Sequence, residues 1–171
     1  MDPIRRYPTV AFFTLAYGIA WCCWGLDIAL GGAAQGLITL GLFGPLLAAL
    51  VVIGSTEGRG SVGAFLGRLR RWRADGRLYA LALIGPFLLA LGATLLDMLT
   101  GGAAPSFARQ LPAGVPQGAI VVILPLLFVF GLLFGGPLGE EPGWRSFALP
   151  RFLAGFGTWT ASALLGLVWG L

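Results

Sequence analysis

Long apolar runs separated by short polar segments dominate the chain. The runs extend over residues 9–30, 37–53, 78–99 and 119–134, and a final run begins at 152 or 157. They show neither the alternation of half-buried strands nor the one-sided spacing of soluble amphipathic helices. About 20 consecutive apolar residues are enough to cross a bilayer as a helix. The pattern predicts an all-α integral membrane protein with about five transmembrane helices, forming a single membrane domain over residues 1–171.

The last run is shorter than the others. From Gly157 to Leu171 it has 15 residues, which at ~1.5 Å per residue cover about 22 Å of a hydrocarbon core of about 30 Å. A start at Phe152 gives 20 residues, just enough for a span. We therefore expect the last helix to be incomplete. Pro45, inside the second run, predicts a kink that a membrane helix tolerates.

Composition agrees with this pattern: 57% of the residues are hydrophobic and 11% are charged, against about 25% charged in soluble domains. All eleven basic residues are arginines, and they lie between apolar runs without forming a groove-binding surface, which argues against a nucleic-acid partner. The abundance of Arg, Gly, Ala, Leu and Pro is typical of a GC-rich genome and suggests a bacterium. The expected location is the plasma membrane.

The arginines also predict the orientation. With the N-terminus in the cytoplasm, ten of the eleven lie on the inner side and Arg109 alone lies outside, as the excess of basic residues in cytoplasmic loops requires. Residues 57–77 then form a cytoplasmic Arg-rich loop, and residues 135–156 form a segment on the cytoplasmic side. The stretch RLRRWR (68–73) either sets the topology or contacts anionic lipid headgroups.

Two runs that lead outward are followed by the same four letters, GGAA, at 31–34 and at 101–104. Because glycine and alanine are abundant, we do not interpret this recurrence as an internal repeat. Asp27 and Asp97 precede these segments, and we expect both to lie at the membrane interface.

Two adjacent carboxylates, Glu140 and Glu141, stand between two of the most apolar stretches. We expect a helix to start near Gly139 or Glu140, with Pro142 in its first turn, where a missing N–H costs little. Glu141 and Arg145 are then spaced i, i+4 on one face and form a pair. Glu140 points about 100° away and is free to act as a general base or a metal ligand. The alternative is a solvated interfacial helix without chemistry.

The segment EEPGWRSFALPRF (140–152), followed by ASALLGLVWGL (161–171), closely resembles the first motif and the following helix of the CPBP family, the CAAX proteases and bacteriocin-processing enzymes. The motif is E-E-x-x-x-R, and the resemblance covers roughly the last 35 residues. It implies an intramembrane endopeptidase that cleaves a membrane protein or a lipid-anchored peptide. On this resemblance Glu140 is catalytic, Glu141 is a supporting residue, and Arg145 is the structural partner of Glu141.

The chain departs from the family because it has no histidine. The family's second and third motifs supply the histidines that work with the glutamate. Zinc is a candidate cofactor of a complete family member, and Glu140 is a candidate ligand only together with those histidines. We therefore expect the N-terminal part of such a peptidase, inactive alone. A non-catalytic membrane scaffold or immunity-type binding protein on the same fold is the alternative, followed by a fragment of an unrelated transporter.

Overall fold

Most of the residues described by the computed structural model (3–70, 73–103 and 116–170) are helical, and none of them forms a strand. In chain order the helices are α1 (Pro3–Arg6), α2 (Pro8–Ala29), α3 (Gln35–Leu42), α4 (Gly44–Thr56), α5 (Arg59–Leu69), α6 (Gly76–Leu99), α7 (Ile120–Phe134), α8 (Pro137–Glu141), α9 (Leu149–Leu153) and α10 (Thr158–Trp169). A 3₁₀ turn, Gln117–Ala119, precedes α7, and a π-helical segment, Pro142–Ala148, joins α8 to α9. The all-α prediction is confirmed over this part of the chain. Arg71, Trp72 and Arg109 lie outside the described residues.

Three helical stretches are long and apolar enough to cross a membrane, namely Pro8–Ala29, Gly76–Leu99 and Val121–Leu153. The pair α3 and α4, bent by 49°, makes a fourth if the two helices are one broken span. α10 has 12 residues, or about 18 Å of helix, which is shorter than a hydrocarbon core. These three or four spans fit a membrane protein, but the predicted count of about five is not confirmed.

The contacts divide the chain into two units, Met1–Arg70 with Leu126–Leu171 (unit 1) and Arg71–Pro125 (unit 2). Unit 2 is built mainly from α6, none of whose residues is buried. Apolar side chains stand out from this helix, among them Phe87 at 79% and Leu99 at 85% exposed. A helix without a polar face suits contact with lipid better than contact with water.

In unit 1, α2 and α4 pack together through small residues. Ala16, Ala48 and Ala49 are at most 1% exposed. A Cβ atom added at Gly44 would lie only 2.8 Å from the carbonyl oxygen of Ala16, so the two backbones nearly touch. Lipid tails are as apolar as leucine, and therefore close van der Waals packing of this kind holds membrane helices together.

Two glycines from a later part of the chain pack against the break between α3 and α4. A Cβ atom at Gly139 would lie 2.5 Å from the Leu42 carbonyl oxygen, and one at Gly143 would lie 2.6 Å from the Pro45 carbonyl oxygen. The two glycines are spaced i, i+4, so one bare face of the segment rests on the bend. The kink predicted at Pro45 is confirmed, and it serves as a packing surface.

The segment that carries the paired glutamates starts earlier than predicted. Its first helix begins at Pro137, directly after Gly136, whose φ of 115° favours glycine. Pro142 therefore lies inside a continuous helical segment and not in the first turn of a new helix. From Pro142 the helix widens, and the Leu149 N–H donates to the Trp144 carbonyl oxygen, five residues back. The wider turns relieve the clash that proline makes inside an α-helix.

Two glycines, Gly31 and Gly32, form the C-terminal cap of α2. The Gly32 N–H donates to the Asp27 carbonyl oxygen at 2.9 Å, and the Gly31 N–H donates to that of Ile28 at 3.0 Å. Gly31 and Gly32 have φ values of 74° and 75°. This is the pattern of the Schellman motif, which pairs carbonyl groups at a helix end.

The helix α6 ends in the same way. The Gly102 N–H donates to the Asp97 carbonyl oxygen at 2.8 Å, and the Gly101 N–H donates to that of Met98 at 3.2 Å. The recurrence of GGAA, which we attributed to composition, thus coincides with a shared helix-stop geometry.

The Asp27 side chain secures the turn after α2. It is 6% exposed, and its Oδ1 atom accepts a hydrogen bond of 2.9 Å from the Ala34 N–H. We expect Asp27→Ala to lower the free energy of unfolding by about 1 kcal/mol, measured by thermal unfolding in detergent micelles. Asp27→Asn retains an acceptor and should stay close to wild type. Equal losses in both variants would contradict this capping role.

Basic side chains collect at one end of unit 1. The Arg5 Nε atom donates to the Ser55 carbonyl oxygen at 2.9 Å, close to the end of α4. Glu57 directly follows α4, and its Oε1 atom lies 3.4 Å from the Arg151 Nη2 atom. Within residues 57–77, predicted as a loop, α5 forms an 11-residue helix. We call this end of unit 1 the arginine end.

Candidate functional site

The segment from Pro137 to Leu153 runs beside α4 in the same direction. Gly139 lies against Leu42, just before α4, whereas Arg151 pairs with Glu57, just after it. Glu140 is therefore at the far end of the segment from the arginine end. Within residues 135–156, predicted to lie together on the cytoplasmic side, the part from Gly139 to Arg151 extends from one end of α4 to the other.

A cavity of about 110 Å³ lies beside Glu140. Eleven residues line it: Ala16, Tyr17, Ala20, Trp21, Trp24, Gly41, Leu42, Pro45, Glu140, Trp144 and Trp169. The α2 residues among them come from the middle and second half of that helix. One water molecule needs roughly 10–15 Å³ of such space, so the cavity has room for several waters or one small chemical group.

The Glu140 carboxylate is held from two sides. The Trp169 Nε1 atom donates a hydrogen bond of 3.2 Å to Oε2. On the other side, a Cβ atom at Gly136 would lie 2.7 Å from Oε1, so this glycine leaves the space that the carboxylate occupies. Among the described residues, no basic side chain forms an ion pair with Glu140. The carboxylate is oriented but not neutralised.

Glu141 is different, because its Oε2 atom forms an ion pair with the Arg145 Nε atom. The pairing predicted from the i, i+4 spacing is confirmed. Both side chains are partly exposed, Arg145 by 65% and Glu141 by 36%, and exposed pairs of this kind contribute only about 0–1 kcal/mol. The pair therefore adds little to stability, and its main consequence is that the charge of Glu141 is paired.

Aromatic residues form much of the cavity wall, and the sequence did not predict this role for them. Trp21 and Trp24 lie in the second half of α2, and tryptophans near the end of a membrane helix are also typical of the membrane interface. Their spacing with Tyr17, i, i+4 and i+7, places the three on one face of α2, and this was the available signal. Trp144 and Trp169 join them through contacts across the fold, which no local pattern reveals.

Three of the five rings hydrogen-bond to the protein through their polar atoms, whereas the Trp144 Nε1 atom is buried without a hydrogen-bond partner among the described residues. The Tyr17 hydroxyl donates to the Val168 carbonyl oxygen. The Trp24 Nε1 atom donates to the Ile38 carbonyl oxygen at 3.3 Å, and the Trp169 Nε1 atom is bound to Glu140. The rings therefore offer the cavity mainly apolar and π-electron surface.

The described residues do not form a zinc site. No three His, Cys, Asp or Glu side chains converge within this part of the chain. Glu140 offers one carboxylate, while a protein zinc site usually has three or four ligands. Glu141, the nearest acid in sequence, is already bound to Arg145.

Comparison with known proteins identifies no relative: no family model matches the chain, and neither a curated protein nor a solved structure shows significant similarity to it.

Proposed function

We propose that this chain is the glutamate-bearing part of an intramembrane endopeptidase of the CPBP type, in a bacterial plasma membrane with its N-terminus in the cytoplasm. The observation that carries the proposal is the contrast between the two glutamates. Glu141 is neutralised by Arg145, whereas Glu140 has no ion pair among the described residues and faces a cavity with room for water. A peptidase of this type needs one such carboxylate.

In the proposed reaction, Glu140 accepts a proton from a water molecule in the cavity. The resulting oxygen nucleophile attacks the carbonyl carbon of a peptide bond in a membrane protein or lipid-anchored peptide. The C–N bond then breaks, and the proton passes to the amine that leaves. Trp169 and Gly136 keep the carboxylate in place, so that little reorganisation precedes proton transfer.

The reaction also requires groups that this chain does not contain. It has no histidine, and a developing oxyanion needs hydrogen-bond donors. We propose that a protein segment outside these 171 residues, or another chain, supplies both. The purified 171-residue chain is then expected to cleave neither prenylated nor membrane-proximal peptides. Turnover by the purified chain would contradict the need for an external histidine.

The cellular test compares membranes of three strains: wild type, a strain lacking the gene, and the deletion strain with the gene restored. Mass spectrometry of protein N-termini should find a set of internal N-termini in wild-type membranes that disappears on deletion and returns with the gene. If the three sets are the same, the peptidase proposal fails. The binding or scaffold alternative would then account better for the cavity.

A further inference from the structure

The cavity beside Glu140 combines two features that both affect its electrostatic potential. Its wall contains the rings of Tyr17, Trp21, Trp24, Trp144 and Trp169, and its polar group is a carboxylate. The faces of aromatic rings carry a negative quadrupole and attract cations, tryptophan most strongly. Both features therefore give the cavity a negative potential.

Three of the hydrogen-bond donors on the wall are already occupied. Tyr17, Trp24 and Trp169 each donate to an oxygen of the protein. Arg145 is bound to Glu141, and Arg151 lies at the arginine end beside Glu57. An anionic ligand would therefore meet the Glu140 carboxylate with no basic side chain of the described residues free to offset it. For a neutral polar ligand, the Trp144 N–H, buried without a hydrogen-bond partner among those residues, is the donor that remains on this wall beside Trp21.

Glu140 also lies in a segment of membrane-spanning character without a basic partner among the described residues. An ionisable group in such a position is costly unless it is paired, and it marks a functional site. A ligand that brings a positive charge would supply the missing partner.

We propose that this cavity binds a compact organic cation, an alkylammonium group that the tryptophan rings surround and Glu140 neutralises. The volume of about 110 Å³ admits one such group and not an extended molecule. Trp21 and Trp169 are 55% and 42% exposed, so they stand at the rim, where the ligand enters. Binding requires no turnover, and this inference is independent of the peptidase reaction.

The test is isothermal titration calorimetry of the purified chain in an uncharged maltoside detergent, with choline as the probe. The comparison ligand is the uncharged isostere of choline in which carbon replaces nitrogen. We expect choline to bind at one site and the isostere to bind at least about tenfold more weakly. Equal affinity for the two ligands, or no saturable heat with choline, would overturn the proposal.

Variants locate the site. Glu140→Gln keeps the size of the side chain but removes its charge, and should weaken choline binding about tenfold. Trp24→Leu should weaken it about fivefold, and Trp24→Phe, which keeps a ring, should lose less. Trp159→Leu is the matched control, because Trp159 is 91% exposed and does not line the cavity. If Trp24→Leu and Trp159→Leu have equal effects on choline binding and both keep the helical circular dichroism of the wild type, the cation does not bind among the tryptophan rings of this cavity.

The alkylammonium group has two sources, a free cation or the headgroup of phosphatidylcholine. Titration in lipid nanodiscs of phosphatidylglycerol alone, or with added phosphatidylcholine, separates them. A lipid occupant lowers the apparent affinity for choline only in the second case, whereas a site for free cations gives the same affinity in both. If choline binds and the membrane N-termini do not change, the cation site stands and the peptidase proposal falls.

Discussion

Restoring the deleted gene with Glu140→Gln is expected to leave the cleavage rate at least about 100-fold below that of the wild-type gene, the usual contribution of a general base. Glutamine has nearly the same size and still offers an oxygen to the Trp169 N–H, which lies 3.2 Å from the carboxylate. It cannot accept a proton from water. The variant therefore removes the proposed chemistry while keeping the packing.

Two further glutamates provide controls for this experiment. Glu57→Gln affects only the arginine end, where Glu57 lies 3.4 Å from Arg151, and should leave cleavage unchanged. Glu141→Gln loosens Arg145 and should lower the rate by less than about fivefold, because an exposed pair contributes little. Immunoblots of the membranes exclude a loss of protein. If the Glu140→Gln strain retains half of the wild-type activity, Glu140 is not the base.

Replacing Gly143 with alanine is expected to destabilise the protein by about 1–3 kcal/mol, the usual cost of overpacking. The added methyl group would lie 2.5 Å from the Pro45 Cβ atom and 2.6 Å from its carbonyl oxygen. A proline ring and a backbone carbonyl at a helix break have little freedom to move aside. Thermal unfolding in detergent micelles, followed by circular dichroism, measures the loss.

Gly67→Ala is the matched control for this substitution. Gly67 lies in α5, and a Cβ atom there meets nothing within 4 Å. Alanine at an open helix position should raise stability by about 0.5–1 kcal/mol. If both variants melt at the wild-type temperature or above, the close contact between Gly143 and Pro45 does not exist in the folded protein.

The sequence predicted best those helices that coincide with one long apolar run. The run from Thr9 to Leu30 became α2, Pro8–Ala29, because backbone groups in a bilayer must pair within the helix. The pair of Glu141 with Arg145 followed from a spacing of four residues. Both predictions depend on neighbours in the sequence.

Predictions that depended on distant parts of the chain were less successful. The start of the helix at Pro137 and the π-helical turns after Pro142 reflect the contact of Gly139 and Gly143 with the bend near Pro45. The hydrogen bond between Trp169 and Glu140 joins residues 29 positions apart. No local pattern specifies such contacts, and the aromatic wall of the cavity was missed for the same reason.

The aromatic wall also gives the cavity an intrinsic fluorescence signal. Four of the six tryptophans of the chain surround it, Trp21, Trp24, Trp144 and Trp169. Near-ultraviolet absorption and emission of the whole protein therefore originate largely at the wall of this cavity. The wavelength and intensity of this emission depend on the polarity around the indoles, so water or a cation that enters the cavity changes the spectrum without any attached dye. Tryptophan fluorescence of the unlabelled protein can therefore be used to follow binding in this cavity.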